Sequence, residues 1–258
     1  MGQIFLVRHG QASFGSSNYD QLSPHGEVQA GLLGQWLADR AQGIDRVVSG
    51  SMVRHRQTAA SCMTRAGCGP APQHWEVDPG FNEYDHDDVL IQHRPDFAEA
   101  GEVRRFIART ADGNRVFQQV FQQAMARWMA GQHDAEYRES WPAFRTRCVA
   151  ALQRVVTTAM ASQTTVVFTS GGTIATLCQY VLGMPDANMF TLNWTLVNSG
   201  VTKLYYRAAL PGAGVGTGAG APQFAGAEGA PAALLTLGYL NNYAHLEALG
   251  AADAVTYR

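Results

Sequence analysis

The feature that most constrains the fold is a short apolar run, from Ile4 to Val7, which leads directly into Arg8, His9 and Gly10. A run of this length without polar alternation is typical of a strand that is buried on both faces. The three residues then lie at the carboxyl end of the strand, where open α/β sheets bind their ligands. The run therefore predicts an α/β fold with a ligand site that begins at residue 8.

Each of the three residues after the run suits a binding or catalytic task. Arg8 can bind a phosphate or carboxylate through two parallel hydrogen bonds, and His9 can act as a nucleophile, a base or a metal ligand. Gly10 has no Cβ, so a ligand can approach the backbone closely. The alternative is a strand that ends in an exposed polar pair, because three-residue matches also arise by chance.

The composition excludes several classes of partner. The 258 residues are 46% hydrophobic and 16% charged, which suits one large domain, or one domain with an insertion. The formal net charge of −2 offers no basic stripe for nucleic acid, and no apolar run approaches the length of a membrane span. The four cysteines show neither CxxC pairs nor zinc spacing, and no secretory leader precedes the first strand. We therefore expect a cytoplasmic protein with reduced thiols and without a nucleic-acid or membrane partner.

Strand and helix patterns alternate along the chain and are interrupted once. Ser23 and Pro24 open the first helix as N-cap and first helical residue. Residues 85–161 hold helical patterns and no convincing strand, which indicates an insertion that acts as a lid or merely adds helical packing. The alternation then resumes, and the Gly- and Ala-rich residues 208–232 predict a mobile loop between two last strands.

Two charged residues follow later strands and converge on the first strand if the sheet is parallel. Arg54 lies where a helix opens directly after a strand, a position that suits an anion. Glu83 also follows a strand, and its carboxylate can serve as a general acid. Taken singly, each is more often a solvated surface side chain.

Two polar segments complete the candidate site. Ser170 and Gly171 form a strand-to-helix turn whose backbone N–H groups can hold phosphate oxygens. Asn198 precedes one of the last strands, and His245 follows the other. Each segment on its own is more often a tight turn or a helix cap.

Taken in order along the chain, these motifs resemble the histidine phosphatase superfamily, the phosphoglycerate-mutase-like proteins. The matching segments are Arg8-His9-Gly10, Leu22-Ser23-x-x-Gly26-x-x-Gln29-Ala30, Ser51-x-x-Arg54-x-x-Gln57-Thr58-Ala59, Ser170-Gly171-Gly172 and Asn241-x-x-x-His245-Leu246. The resemblance spans nearly the whole chain. It implies a three-layer α/β/α sandwich with a mainly parallel sheet and a helical insertion.

The resemblance also implies how the residues divide the chemistry. His9 would attack phosphorus and become phosphohistidine, while Arg8 and Arg54 would hold the equatorial oxygens. Glu83 would protonate the leaving alkoxide and then deprotonate the attacking water. Two nearby arginines also disfavour a charged imidazole, so we expect His9 to be neutral and nucleophilic near pH 7. No metal or other cofactor is implied.

The remaining site residues contact phosphate or support those that do. Ser170 and Gly171 would bind phosphate, with Gly10, Asn198 and His245 in support. The expected ligand is a small-molecule phosphomonoester or inorganic phosphate, and the sequence leaves the exact substrate and the oligomeric state open.

The chain departs from the family pattern at Ser170. The family carries a second histidine there, in a Ser-His-Gly-Gly-like turn. A neutral hydrogen bond is weaker than a charged one by about 1–2 kcal/mol, which corresponds to about tenfold in rate. A nearby histidine can offset part of this deficit, and His245 is the first candidate, ahead of His55 and His86.

Several other functions compete with phosphomonoester hydrolysis. Gly15 stands where mutases of the family carry asparagine, so mutase-type phosphotransfer is disfavoured. A non-catalytic phosphate-binding protein of the same fold is the main rival, because fold alone does not determine function. A serine hydrolase using Ser170 would have Phe168 in place of the first glycine of G-x-S-x-G. A metal site in residues 83–88 lacks a recognised ligand spacing.

Overall fold

The computed structural model describes residues 1–13, 20–208, 223–224 and 233–257. Within those ranges seven strands form one sheet. They are β1 (Gly2–Arg8), β2 (Arg46–Ser49), β3 (Glu76–Val77), β4 (Thr164–Thr169), β5 (Val201–Ala208), β6 (Gln223–Phe224) and β7 (Ala233–Asn242). The helices of the same ranges are α1 (Pro24–Asp39), α2 (Val53–Ala66), α3 (His86–His93), α4 (Glu102–Arg109), α5 (Gly113–Met129), α6 (Trp141–Thr157), α7 (Gly171–Leu182), α8 (Asp186–Thr195) and α9 (Ala244–Glu247).

The strand order β3-β2-β4-β1-β5-β7-β6 places β1 in the middle of the sheet. Strands β1 to β4 pair in parallel, whereas β5, β7 and β6 are added through antiparallel pairings. Because β7 is antiparallel to β5, and β5 is antiparallel to β1, β7 runs in the direction of the parallel strands. Five of the seven described strands therefore share one direction, and the predicted α/β fold with a mainly parallel sheet is confirmed.

The central strand is buried on both faces, as its apolar run predicted. Phe5 and Val7 belong to a core cluster that includes side chains of α1 and α2. Ile4 and Leu6 alternate with them and are fully buried on the opposite face. Helix α7 contacts β1 and contributes no side chain to the α1–α2 cluster, which places it on that opposite face. The layers are thus helix, sheet and helix.

The helix ends near the site follow local chemistry. Ser23 caps α1 by accepting a hydrogen bond from the Gly26 N–H at 3.0 Å, with Pro24 in the first position, as predicted. Met52 precedes α2 and has no side chain that can cap it, so the first N–H groups of that helix are left for other partners. The last residue before α7 is Ser170, whose side chain makes no capping bond with the helix.

The chain divides into two compact units. The first comprises residues 1–83 and 148–258, and the second comprises residues 84–147. The second unit, all of it described, contains helices and no strand, and packs around an aromatic core. In that core the ring centroids of Tyr84 and Trp128 are 5.1 Å apart, and those of Trp128 and Trp141 are 5.4 Å apart. A lid function for the helical residues remains a prediction.

Two regions differ from what the sequence pattern indicates, and a short 3-10 helix, Pro72–His74, precedes β3. Helix α8 was not predicted, because Met189 is its only buried residue and no apolar stripe marks it. Of the predicted loop 208–232, Gln223 and Phe224 form β6, and most of the rest lies outside the described residues. None of the helices in the described ranges has the length and hydropathy needed to cross a bilayer.

Candidate active site

Three parallel strands bring the candidate residues to one edge of the sheet. Strands β1 and β4 are neighbours, with Arg8 opposite Thr169, and the His9 N–H donates to the Thr169 carbonyl at 2.9 Å. Strand β2 runs beside β4 and leads into α2. His9, Ser170 and the start of α2 are therefore close neighbours although they lie far apart in the chain.

His9 is buried, and its two ring nitrogens have different partners. Nδ1 lies 2.7 Å from the Gly10 carbonyl, which can only accept, so Nδ1 carries the proton. Nε2 then presents its lone pair, and it accepts from Arg54 Nε at 3.2 Å. Burial first, and then the guanidinium groups of Arg54 and Arg8, hold the pKa of His9 well below its ordinary value of 6.5. His9 is thus a neutral imidazole whose Nε2 lone pair points at Arg54.

The main chain of His9 is fixed by the residues that precede β5, the strand next to β1. The His9 carbonyl accepts from Asn198 Nδ2 and from the Ser199 N–H, each at 3.2 Å. Asn198 is fully buried, and its Oδ1 accepts from Thr256 Oγ1 at 2.9 Å. Asn198 therefore positions the backbone that carries His9.

Arg54 is held by an aspartate that sequence reasoning missed. Arg54 is 3% exposed, and its Nη1 lies 3.0 Å from Asp20 Oδ1. The other oxygen of Asp20 accepts from the Val53 N–H at 2.9 Å and so binds the uncapped start of α2. The available signal was indirect: Met52 cannot cap this helix, and an acidic side chain from another segment is one of the groups that stabilise such a start.

Arg8 lies against the turn that opens α7, and two carbonyls hold its guanidinium. Nη1 donates to Leu196 O, and Nη2 donates to Tyr257 O at 2.9 Å. A Cβ built on Gly171 would lie 3.3 Å from Arg8 Nε and 2.4 Å from Asn193 Oδ1. Gly171 is therefore glycine because Arg8 and Asn193 approach its backbone closely.

The structure gives a packing reason for the glycine at position 10. A Cβ built on Gly10 would lie 2.3 Å from the Gly26 carbonyl of α1. The missing side chain thus allows α1 to pack against the end of β1, and the approach of a ligand to this backbone stays a prediction. The Gly10 N–H donates to Thr58 Oγ1 at 3.1 Å, which ties the same residue to α2.

Glu83 reaches the start of α7 from a segment whose preceding residue, Asn82, is hydrogen-bonded on two sides. Its Oε2 accepts from the Gly172 N–H at 3.0 Å. The preceding Asn82 is fixed to the loop before α2, where its Oδ1 accepts from the Ser51 N–H at 2.7 Å. Its carbonyl accepts from Thr173 Oγ1 at 3.0 Å. The carboxylate of Glu83 therefore lies one residue beyond the Ser170-Gly171 turn.

The histidine in contact with Ser170 is His55. His55 Nε2 lies 2.6 Å from Ser170 Oγ, and both residues are fully buried. The ring centroids of His55 and His9 are 5.7 Å apart. His245 instead bonds Ser199 Oγ at 2.8 Å, which corrects the preference for His245 as the neighbour of Ser170. His86 pairs with Asp87 in the second unit.

The acidic run after Glu83 has structural partners in the second unit. Asp85 Oδ1 accepts from the Asp88 N–H at 3.0 Å and caps α3, and its other oxygen pairs with Arg138 at 2.9 Å. Asp88 accepts from the Arg138 N–H at 2.8 Å. Among the described residues no group of three metal-ligating side chains occurs.

Comparison with known proteins relates this site to one family. The family model described as "Histidine phosphatase superfamily (branch 1)" matches residues 4–130 and 108–211. No sequence among curated proteins matches the chain.

Solved structures share the fold. A protein described as mycobacterial hydrolase 2 has 19% identity and a TM-score of 0.57, with 93% of this chain and 90% of that chain covered. A phosphoserine phosphatase mutant from Entamoeba histolytica, in complex with phosphoserine, has 15% identity and a TM-score of 0.57, with 95% and 100% covered. A mycobacterial glucosyl-3-phosphoglycerate phosphatase with inorganic phosphate has 22% identity and a TM-score of 0.52, with 80% and 91% covered. The family match spans most of the described sheet, and the chain belongs to the histidine phosphatase superfamily.

Proposed function

We propose that the protein is a phosphomonoesterase that works through a phosphohistidine on His9. The observation that carries this proposal is the state of His9, which is neutral, buried and presents the Nε2 lone pair beside Arg54. A neutral imidazole is the nucleophilic form, and nearby positive charge stabilises the transferring phosphoryl group. Family membership and the phosphatases among the similar structures support the same reaction class.

The first half of the reaction forms the phosphoenzyme. Phosphate oxygens bind beside Arg54 and Arg8, so Arg54 Nε exchanges its bond with His9 Nε2 for one with a phosphate oxygen. Nε2 then attacks phosphorus, an N–P bond forms, and the ester P–O bond breaks. Glu83 donates a proton to the leaving oxygen, and a neutral alcohol departs.

The second half regenerates the enzyme. The Glu83 carboxylate removes a proton from water, and the oxygen of that water attacks phosphorus. The N–P bond breaks, inorganic phosphate leaves, and His9 returns to its neutral state. The positive charge needed for both steps comes from Arg8 and Arg54, so this reaction needs no metal ion.

The proposed substrate is a small-molecule phosphomonoester. The solved relatives include complexes with phosphoserine and with inorganic phosphate, and both ligands present a terminal phosphoryl group. Hydrolysis is preferred to mutase-type phosphotransfer because Gly15 stands at the asparagine position of the mutase pattern.

The test is turnover of a phosphomonoester panel by wild type, His9→Ala and His74→Ala. His74 is exposed in a surface turn and serves as the matched control. We expect wild type and His74→Ala to release phosphate and to carry an acid-labile, alkali-stable phosphoryl group, and His9→Ala to show neither. If wild type binds phosphate but yields no turnover and no phosphoenzyme, the non-catalytic binding function replaces this proposal.

A further inference from the structure

We propose that His55 is a positioning residue that acts through Ser170: its Nε2–H donates to Ser170 Oγ and directs the serine hydroxyl onto a phosphate oxygen. The inference rests on the proposed phosphate site. It assigns the place of the missing second histidine to two residues, an imidazole on α2 and a hydroxyl at the start of α7.

The contact is short, enclosed and next to the nucleophile. The 2.6 Å bond between His55 Nε2 and Ser170 Oγ joins two side chains with no exposed surface. His55 follows Arg54 directly on α2, so one helix turn carries both the guanidinium that touches His9 and the imidazole that touches Ser170. A Cβ built on Gly50 would lie 2.2 Å from His55 Nδ1, so the ring lies flush against backbone.

The protonation of His55 gives the hydrogen bond its direction. Burial first, and then the charge of Arg54, hold the pKa of His55 well below 6.5, so the ring carries one N–H. Nδ1 is buried and has no hydrogen-bond partner among the described residues. A buried N–H without a partner is rarer and more costly than an unused lone pair. The proton therefore lies on Nε2, which donates to Ser170.

Ser170 can then use its own proton in the site. Its oxygen accepts from His55, and its side chain makes no capping bond with α7, so the hydroxyl proton is available for a phosphate oxygen. A hydroxyl whose oxygen accepts a hydrogen bond is also a stronger donor. The pair thus supplies one oriented, neutral donor beside His9 without a charged imidazole.

The opposite direction would make Ser170 a nucleophile. Ser170 would donate to His55 Nε2, and the ring proton would lie on Nδ1 against Gly50, where no acceptor is found among the described residues. This arrangement is the less favourable one, and it gives the test a distinct outcome.

The experiment is a double-mutant cycle on Ser170→Ala, His55→Leu and the double variant, with His55→Gln as the conservative replacement. Gln can place an amide N–H near the position of Nε2, whereas Leu cannot donate. The two readouts are the Kd for inorganic phosphate by calorimetry and kcat/KM for p-nitrophenyl phosphate. Thermal unfolding of each variant verifies the fold.

We expect each single loss of function to weaken phosphate binding and kcat/KM by about three- to tenfold, the range of one neutral hydrogen bond. The double variant should be no worse than Ser170→Ala, because His55 acts only through the hydroxyl. His55→Gln should recover most of the loss. Additive losses, or a His55→Leu defect that persists at full size in the Ser170→Ala background, would overturn the inference.

Phosphate binding separates this inference from the proposed function. If wild type does not turn over but the cycle in Kd is non-additive, the inference stands and the catalytic proposal falls. If His9-dependent turnover occurs but both cycles are additive, the catalytic proposal stands and the positioning role of His55 falls. Labelling of Ser170 by a fluorophosphonate, lost in His55→Leu, would show a serine nucleophile and overturn the positioning role.

Discussion

The Arg54–His55 pair of the first compact unit and two arginines of the second unit lie in opposite surroundings. In the first unit Arg54 and His55 are buried, and each contacts one named group at the carboxyl edge of the sheet. In the second unit Arg105 and Arg115 are more than half exposed and pair with acids on their own or neighbouring turns. Buried groups cannot exchange their partners for water, so their protonation and direction are fixed. The comparison teaches that burial, and not residue type, marks where chemistry is expected.

The largest expected effect tests the buried guanidinium. Arg54→Gln should lower kcat/KM on the order of 10³-fold, because a cation at the transferring phosphoryl group is lost. Arg65→Gln, at the exposed end of the same helix, is the matched control and should stay near wild type. Steady-state kinetics with p-nitrophenyl phosphate checks both variants, and equal losses would break the comparison.

Acid stability gives the next largest effect. Burial lowers the pKa of His245 from 6.5 to about 4, so between these values the unfolded chain binds more protons than the folded one. The contribution of neutral His245 to the free energy of unfolding is complete above pH 6.5. It is lost as the pH falls toward 4, by up to about 3 kcal/mol. The pKa values of His9 and His55 are also lowered in the folded state, so both residues add to the same loss of stability in acid.

Urea unfolding between pH 7.5 and 4.5 measures this slope. His245→Asn should lower stability at neutral pH through the lost bond to Ser199, and should flatten the decline in acid. A slope unchanged by the substitution would assign the acid sensitivity to other groups.

Moving the imidazole from position 55 to position 170 tests whether the buried site of the first unit has room for a second histidine at the turn. Ser170→His alone should fail to improve turnover, because Ser170 is fully buried and the His55 ring is 2.6 Å away. Ser170→His with His55→Ala removes that ring and restores an imidazole at the turn, so kcat/KM should rise up to about tenfold over wild type. A gain in the single variant would show that the turn has more room than the structure indicates.

The smallest effect belongs to the second unit. Arg115 pairs with Asp112 at 3.1 Å, with both side chains about 70% exposed. Arg115→Gln should change the free energy of unfolding by less than about 0.5 kcal/mol, since solvent screens such pairs. A larger loss by urea unfolding would mean that exposed pairs matter more in this unit than the comparison allows.

Local sequence patterns were sufficient to predict the central strand and the first helix. The apolar run before Arg8 predicted the buried central strand, and Ser23 with Pro24 predicted the start of α1, because both signals depend on adjacent residues. That Arg54 and the turn at Ser170 would lie at the same sheet edge as His9 followed from the prediction of parallel strands.

Long-range packing decided what the sequence could not predict. His55 and Ser170 are 115 positions apart, and their contact depends on which face of α2 packs toward β4. Asp20 and Arg54 are 34 positions apart, and no sequence pattern around Asp20 indicates their contact. The reason for Gly10 was likewise missed, since it depends on the distance between β1 and α1.

The His55–Ser170 contact bears on how relatives of this chain are recognised. A motif search compares letters at fixed positions, so a serine at the turn is read as a lost histidine. In the structure, however, the imidazole of His55 on α2 contacts the same turn. Among family members, serine at the turn and histidine directly after the motif arginine should occur together more often than chance. Such paired substitutions would distinguish chains that carry the histidine on α2 from chains that lack it at both positions.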